Sequence, residues 1–257
     1  DVGVLKNTLL LTVDYFIKNT SDVLLFLPQP SSAGNGGNPA VNAGKIRNKG
    51  LEVELTYRNT VGKDWSYSVN GNLATLHNEV VSLGSASPIV GGRIDNNYYA
   101  TLTDIGHPIG AFYLLQKEGI FQNAQEVFTH AYQGPGVKPG DVMFKDISGP
   151  DGVPDGIIDG YDRTFVGSPI PTLTYGLTGA LRYKNIDLSV FFQGIYGNKI
   201  YNQVNTDIEG FYRAFNLTER AATNYWTAEG STNEFPRLSW TGASNNKMPS
   251  DRFLESG

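Results

Sequence analysis

Leu51-Glu52-Val53-Glu54-Leu55-Thr56-Tyr57-Arg58 alternates apolar and polar residues without a break. Successive side chains of a β-strand point to opposite faces, so the stretch predicts a strand with Leu51, Val53, Leu55 and Tyr57 on one side and Glu52, Glu54, Thr56 and Arg58 on the other. Four further segments carry the same period. Upstream, Leu5, Leu9, Leu11, Val13, Tyr15 and Ile17 oppose Thr8, Thr12, Asp14 and Lys18. Downstream, Trp65, Tyr67, Val69, Gly71 and Leu73 oppose Ser66, Ser68, Asn70, Asn72 and Ala74. Leu173, Tyr175, Leu177, Leu181 and Tyr183 then oppose Thr174, Thr178 and Arg182, and Ile186, Leu188, Val190 and Phe192 oppose Asp187, Ser189 and Gln193.

Alternation alone fits a soluble β-sandwich as well as a membrane barrel, since each needs one apolar face. Length separates them. The segments cover about residues 4–18, 50–59, 64–76, 172–183 and 186–197, long against the usual strand of about five or six residues and close to a tilted bilayer span. Aromatics fall near the strand ends, at Tyr15, Tyr57, Trp65, Tyr183 and Tyr196, where barrels set them among lipid headgroups. The connections alternate too. Asn59–Asp64 and Lys184-Asn185 are short, whereas the connections at about residues 19–49, 77–171 and 198–257 are long. Tracing the five strands up and down puts both short turns on one side and the long connections on the other, as in an oriented barrel. The expected class is therefore all-β, an antiparallel transmembrane β-barrel fragment with long extracellular loops. Five strands cannot close a barrel, for which about eight is the minimum.

Composition agrees. The 257 residues include 30 glycines, 12% aromatics and only 18% charged residues, below the roughly 25% of average domains. The absence of cysteine removes thiolate metal sites, thiol nucleophiles and disulfide frameworks. A net charge of −5 without a Lys/Arg run argues against nucleic acid as a partner. No stretch approaches the ~20 apolar residues of a membrane-spanning helix. G-x-S-x-G, Walker-type and H-E-x-x-H motifs are also missing, so the expectation is no enzyme. Glu52 and Glu54 share one face, but a solvated wall explains them better than a glycosidase pair.

The long connections hold the remaining candidates. Pro28–Pro39 is a turn-former cluster, and His107–Phe121 predicts a hairpin leading to a short helix around Asn123–Ala131. Asp151–Asp162 is spaced like a twelve-residue calcium loop, with Asp151, Asp155, Asp159 and Asp162 as ligand candidates and Gly156 at the sixth place. Val153 holds the third place and offers no side-chain oxygen; Asp146 and Ser148 lie just upstream. The competing reading is an acidic turn whose carboxylates cap their own backbone. His77, His107 and His130 lack ligand spacing. Tyr98, Tyr99, Trp226 and Trp240 offer rings for sugar stacking or for packing their own loops.

Several blocks resemble the SusC/RagA group of TonB-dependent outer-membrane transporters. They are Leu11-Thr12-Val13-Asp14-Tyr15-Phe16-Ile17-Lys18-Asn19-Thr20-Ser21-Asp22, Asn48-Lys49-Gly50-Leu51-Glu52-Val53-Glu54-Leu55, and Gly106–Tyr113 followed by Glu118-Gly119-Ile120-Phe121. Pro139–Asp146 and Asp162–Pro169 then flank the acidic loop, whose Pro150–Pro154 stretch departs from the shorter family form. Their number, order and spacing carry the resemblance over nearly the whole chain. It implies a barrel of about 22 strands with an internal plug, energised by TonB and embedded in outer-membrane lipid of a Gram-negative cell. It further implies a SusD-like surface lipoprotein as lid and oligosaccharide or peptide as cargo, with the plug, the TonB box and the closing strands outside these residues. The alternative is a soluble extracellular carbohydrate-binding or adhesive β module stabilised by calcium.

Overall fold

The computed structural model describes residues 1–6, 8–26, 40–84, 87–95, 98–210, 215–239 and 246–257. Among the described residues fifteen strands follow in chain order: β1 Val2–Val4, β2 Leu9–Phe26, β3 Ala40–Val61, β4 Trp65–Thr75, β5 His77–Ser82, β6 Ile89–Asp95, β7 Tyr98–Thr103 and β8 Ala111–Leu114. Then come β9 Lys117–Ile120, β10 Val142–Phe144, β11 Thr164–Gly167, β12 Leu173–Tyr183, β13 Ile186–Tyr196, β14 Lys199–Tyr201 and β15 Leu254–Ser256. Helices α1 Ala124–Thr129, α2 Gln203–Ile208 and α3 Glu219–Thr223 are short, and none among the described residues is long and apolar enough to cross a membrane.

The wall is one antiparallel sheet in the order β1-β2-β3-β4-β12-β13, with β5 also paired to β3. Its register lines up the alternating faces. Leu11, Leu55, Gly71, Leu177 and Phe192 form one transverse row, and Val13, Val53, Leu73, Tyr175 and Gly194 the next. One unbroken apolar face results. At its short-turn margin the Trp65 and Tyr183 rings lie 4.2 Å apart and Tyr57 and Tyr67 5.9 Å apart. Tyr15 and Tyr196 mark the other margin, about ten residues along the strands. At ~3.3 Å per residue and a tilt of ~40°, that separation is about 25 Å, the height of a barrel's lipid-facing band. The two short turns also touch, since Lys184 N donates to Asp64 O at 3.0 Å, which fixes them on one side of the wall.

Three expected strands stand close to their predicted limits, and two differ. The first starts at Leu9 rather than residue 4, because Leu5 and Lys6 turn through positive φ. It then continues to Phe26, and β3 begins at Ala40 instead of residue 50. Most of the expected 19–49 loop is thus a ladder from Asn19↔Arg47 to Phe26↔Ala40, interrupted by a bulge at Asp22, whose φ is 58°. Beyond the aromatic margin the faces are no longer divided into apolar and polar, so pairing persists without the alternation that makes the lower strand legible. The Pro28–Pro39 cluster lies outside the described residues.

Gly50 marks where β3 changes partner, from β4 over Glu52–Val61 to β5 over Lys45–Lys49. A Cβ at Gly50 would sit 2.0 Å from Thr75 O and 2.8 Å from the Phe16 ring. Only glycine allows that approach. The connection between β4 and β12, expected as one loop over 77–171, is structured: β11-β8-β7-β6 form a four-stranded sheet and β9 pairs with β10. The expected His107–Phe121 hairpin does not form. β8 bonds to its neighbour in sequence, β7, and to the distant β11, and β9 bonds to β10, so the two halves do not pair with each other. The expected helix is α1, capped by Asn123, whose side chain accepts from Glu126 N at 2.9 Å.

Candidate functional site

Two surfaces come into question: the wall's polar face and the elaborated block above it, formed by the long connections. On the wall, Thr12, Glu54, Asn72, Gly176 and Gln193 share a row, flanked by Asp14, Glu52, Ala74, Thr174 and Ile195. Glu54 accepts from Asn70 Nδ2 at 2.6 Å, and the same amide reaches Thr56 Oγ1 at 2.6 Å. Nearer the short turns, Arg182 Nε stands 3.7 Å from Asp187. Hydroxyls, amides and charges of both signs make this a hydrated surface able to hydrogen-bond a polar solute. Glu52 and Glu54 project from one strand face into it, with Asp14 directly across from Glu52.

In the block, the acidic loop is tied to backbone. Asp162 is fully buried; its Oδ1 accepts from Ile147 N at 2.7 Å and Ser148 N at 3.2 Å, and its Oδ2 from Asp159 N at 2.8 Å. Asp159 accepts from Tyr161 N at 2.7 Å and Asp155 from Ile157 N at 3.0 Å. Asp146 Oδ2 takes Gly156 N at 2.8 Å, while its Oδ1 is buried without a hydrogen-bond partner. Asp151 is exposed. Among the described residues no group of three or more carboxylates or imidazoles is placed to hold a metal ion. As arranged, Asp151, Asp155, Asp159 and Asp162 do not fit a calcium cage, and three of the four act as backbone caps.

The aromatic candidates pack within the block. Tyr98 joins Ile94, Ala100, Phe112 and Leu114 in a buried cluster. Tyr99 lends its carbonyl to Arg163 Nη2 at 2.5 Å. Trp226 Nε1 donates to Gln122 Oε1 at 3.1 Å, and its ring lies so close over Gly140 that a Cβ there would be 2.4 Å away. Trp240 lies outside the described residues. Of the histidines, His77 pairs with Lys49 in the sheet, His107 stacks on Phe165 at 3.6 Å, and His130 Nε2 is 3.3 Å from Glu118 Oε2.

Sequence reasoning missed the charged clamps that hold the block together. Asp141, 1% exposed, receives Arg237 Nε at 2.8 Å, Asn246 Nδ2 at 2.9 Å and Lys138 N at 2.9 Å. Burial tends to push the Glu209 carboxyl up, but hydrogen bonds from Arg220 and Thr218 outweigh it and hold the group below its ordinary value. Arg220 contributes two bonds of 2.7 Å. Lys117 Nζ donates to Asn233 O at 2.7 Å and Glu234 O at 3.0 Å, and burial lowers it to about 8, with Arg252 adding repulsion. Asp141 and Arg237, like Lys117 and Asn233, stand about 100 residues apart, while Glu209 and Arg220 are 11 apart, and only the blocks Pro139-Gly140-Asp141 and Asp162-Arg163 stood out in the sequence. These blocks are tertiary clamps.

The model of the TonB dependent receptor-like β-barrel matches residues 2–245. The chain belongs to the TonB-dependent receptor family. It is 30% identical over 240 residues to the TonB-dependent receptor P3 of Formosa agariphila, covering 92% of this chain and 23% of that protein. To the TonB-dependent receptor SusC of Bacteroides thetaiotaomicron it is 27% identical, over 82% of this chain and 20% of that one. The RagAB peptide transporter superposes with a TM-score of 0.73 at 22% identity, covering 99% of this chain and 26% of its own. The chain thus spans about a quarter of the length of the relatives it matches. The fold expected from alternation and parity is the fold of these receptors, and this portion of the barrel is open.

Proposed function

We propose that the chain is a wall segment of an outer-membrane transporter that imports oligosaccharide or peptide at the expense of TonB-coupled energy, beneath a SusD-like lipoprotein lid. The observation that carries the reading is the single apolar band across β2, β3, β4, β12 and β13, edged by aromatics and backed by a hydrated polar face. A soluble calcium-stabilised carbohydrate-binding module would leave that band facing water. Family membership supports transport, and the likeness to a peptide transporter and to SusC supports the two cargo classes. The reading makes it part of a transport protein and not an enzyme. The test is uptake of labelled oligopeptides and oligosaccharides by outer-membrane vesicle-competent cells carrying the full-length protein, with and without TonB. The expected result is saturable uptake of one class that vanishes without TonB. Uptake of neither class, or uptake indifferent to TonB, would overturn the reading.

A further inference from the structure

The short-turn margin of the wall carries a basic edge that transport leaves unexplained. Three connections lie on this side in sheet order: residues 5–8 between β1 and β2, 62–64 between β3 and β4, and 184–185 between β12 and β13. Each presents one lysine, Lys6, Lys63 or Lys184, and Asp64 is the one carboxylate among them. All three lysines are exposed. The turns adjoin along one rim. Arg58 N donates to Thr8 O at 2.8 Å, and Lys184 N to Asp64 O at 3.0 Å. Successive turns stand two strands apart, or about 10 Å. Turn chemistry does not account for the lysines. Leu5, Lys6 and Lys184 have φ of 55°, 57° and 53°, a left-handed backbone that disfavours residues bearing a Cβ. Two-residue hairpin turns relax with Asn-Gly or Asp-Gly instead. Among the described residues, three of the four non-glycine positions with positive φ fall in these turns.

The surroundings of these lysines fit a lipid headgroup. Trp65 and Tyr183 lie on the apolar face with their rings 4.2 Å apart, and Lys184 Nζ is 5.2 Å from the centre of the Tyr183 ring. Its amine therefore stands at the rim of the lipid band. Leu5, Val61 and Ile186, which flank the three lysines in sequence, are 70%, 54% and 69% exposed. A lysine whose stem lies along apolar surface at such a rim presents its ammonium to the phosphate level of the bilayer. Short turns of an oriented barrel face the periplasm, where the outer membrane's leaflet is phospholipid. A zwitterionic headgroup carries its own ammonium beside the phosphate, so a net-negative headgroup is the better complement to this edge. We propose that Lys6, Lys63 and Lys184 form a binding edge for anionic phospholipid, each amine taking a headgroup phosphate; this rests on the outer-membrane reading above.

The experiment inserts the full-length receptor into vesicles of equal parts phosphatidylglycerol and phosphatidylcholine and counts the lipids it retains by native mass spectrometry. The variants are Lys6→Asn, Lys63→Gln and Lys184→Asn, singly and together. Asparagine accepts the left-handed backbone, so these changes remove charge while easing the turns, and protease resistance checks the fold. The expected result is retention of phosphatidylglycerol over phosphatidylcholine, a preference that falls about fivefold for each lysine removed. Lys184→Arg should keep the preference, and Lys145→Gln, an exposed lysine of the block, should leave it unchanged. Equal retention of the two lipids by the wild type overturns the inference. So does a preference that survives the triple variant, or one that falls as far in Lys145→Gln. If the wild type does not enter the vesicles at all, the membrane reading fails and the lipid edge with it.

Discussion

The wall and the block above it use hydrophobic residues in opposite ways. Among the residues whose burial is described, no large apolar side chain of β2, β3, β4, β12 or β13 is buried; the fully buried ones, such as Leu114, Ile120, Phe121, Val142 and Phe144, belong to the block, while Phe192, Leu177 and Val13 of the wall are exposed. A bilayer takes the place of a core for the wall, whose backbone groups are satisfied strand to strand. Surrounded by water, the block must build its own small cores and does so around buried charged clamps. One chain therefore obeys two solvents, and the boundary runs near Gly50 and Thr75, where β3 exchanges β4 for β5.

The comparison breaks most severely if the block loses a clamp. Arg237→Met leaves Asp141 buried without its cation, at a cost of about 3–5 kcal/mol. Hydrogen exchange should accelerate across residues 133–146 and 226–239, while the wall keeps its protection. Acceleration spread equally over β4 and β12 would mean that the two regions do not fold on separate terms. Next in size is a charge set among wall neighbours. Leu177→Arg, on the apolar face, should cost about 2–4 kcal/mol near the bilayer midplane, whereas Thr178→Arg, on the polar face, should cost far less. Unfolding from lipid vesicles in urea measures both, and equal losses would abolish the assignment of faces.

A smaller effect separates the regions by pH. Lys117 lies in the block, and its amine is lowered to about 8 chiefly by burial. Unfolded, it returns to the ordinary lysine range near 10.4. Between about pH 8 and 10.4 the unfolded chain binds the extra proton, so stability rises with pH across that window; below it the buried charge is a constant penalty. After a discount for partial exposure, the rise is about 1–2 kcal/mol. The difference in unfolding free energy between wild type and Lys117→Met should show this slope, and a flat difference would place the amine in water.

How much was legible follows from the same division. Bilayer contact imposes period two, so β4, β12 and β13 were readable almost to the residue, and parity gave the sidedness. Where water meets both faces, as at Asn19–Asp22 and Gly44–Lys49, pairing continues without a pattern, and the strands looked like loop. In the block, contacts such as Lys117 with Asn233 or Asp141 with Arg237 join distant segments, and no local spacing encodes them.

The smallest expected effect concerns the acidic loop, where sequence spacing and geometry disagree. Twelve-residue spacing nominated Asp151, Asp155, Asp159 and Asp162, yet Asp162 spends both oxygens on three backbone N–H groups, and Asp155 and Asp159 each cap a turn. A carboxylate turned to its own backbone gains charge-assisted bonds without a cation. Chelation or millimolar calcium should therefore leave the rate of protease cleavage between Gly149 and Gly160 unchanged. Asp146 Oδ1 is the atom most able to upset this, being buried and unpaired. Calcium-dependent protection that disappears in Asp146→Asn would show that the loop rearranges around a metal, with Asp146 in place of the carboxyl-free third position at Val153.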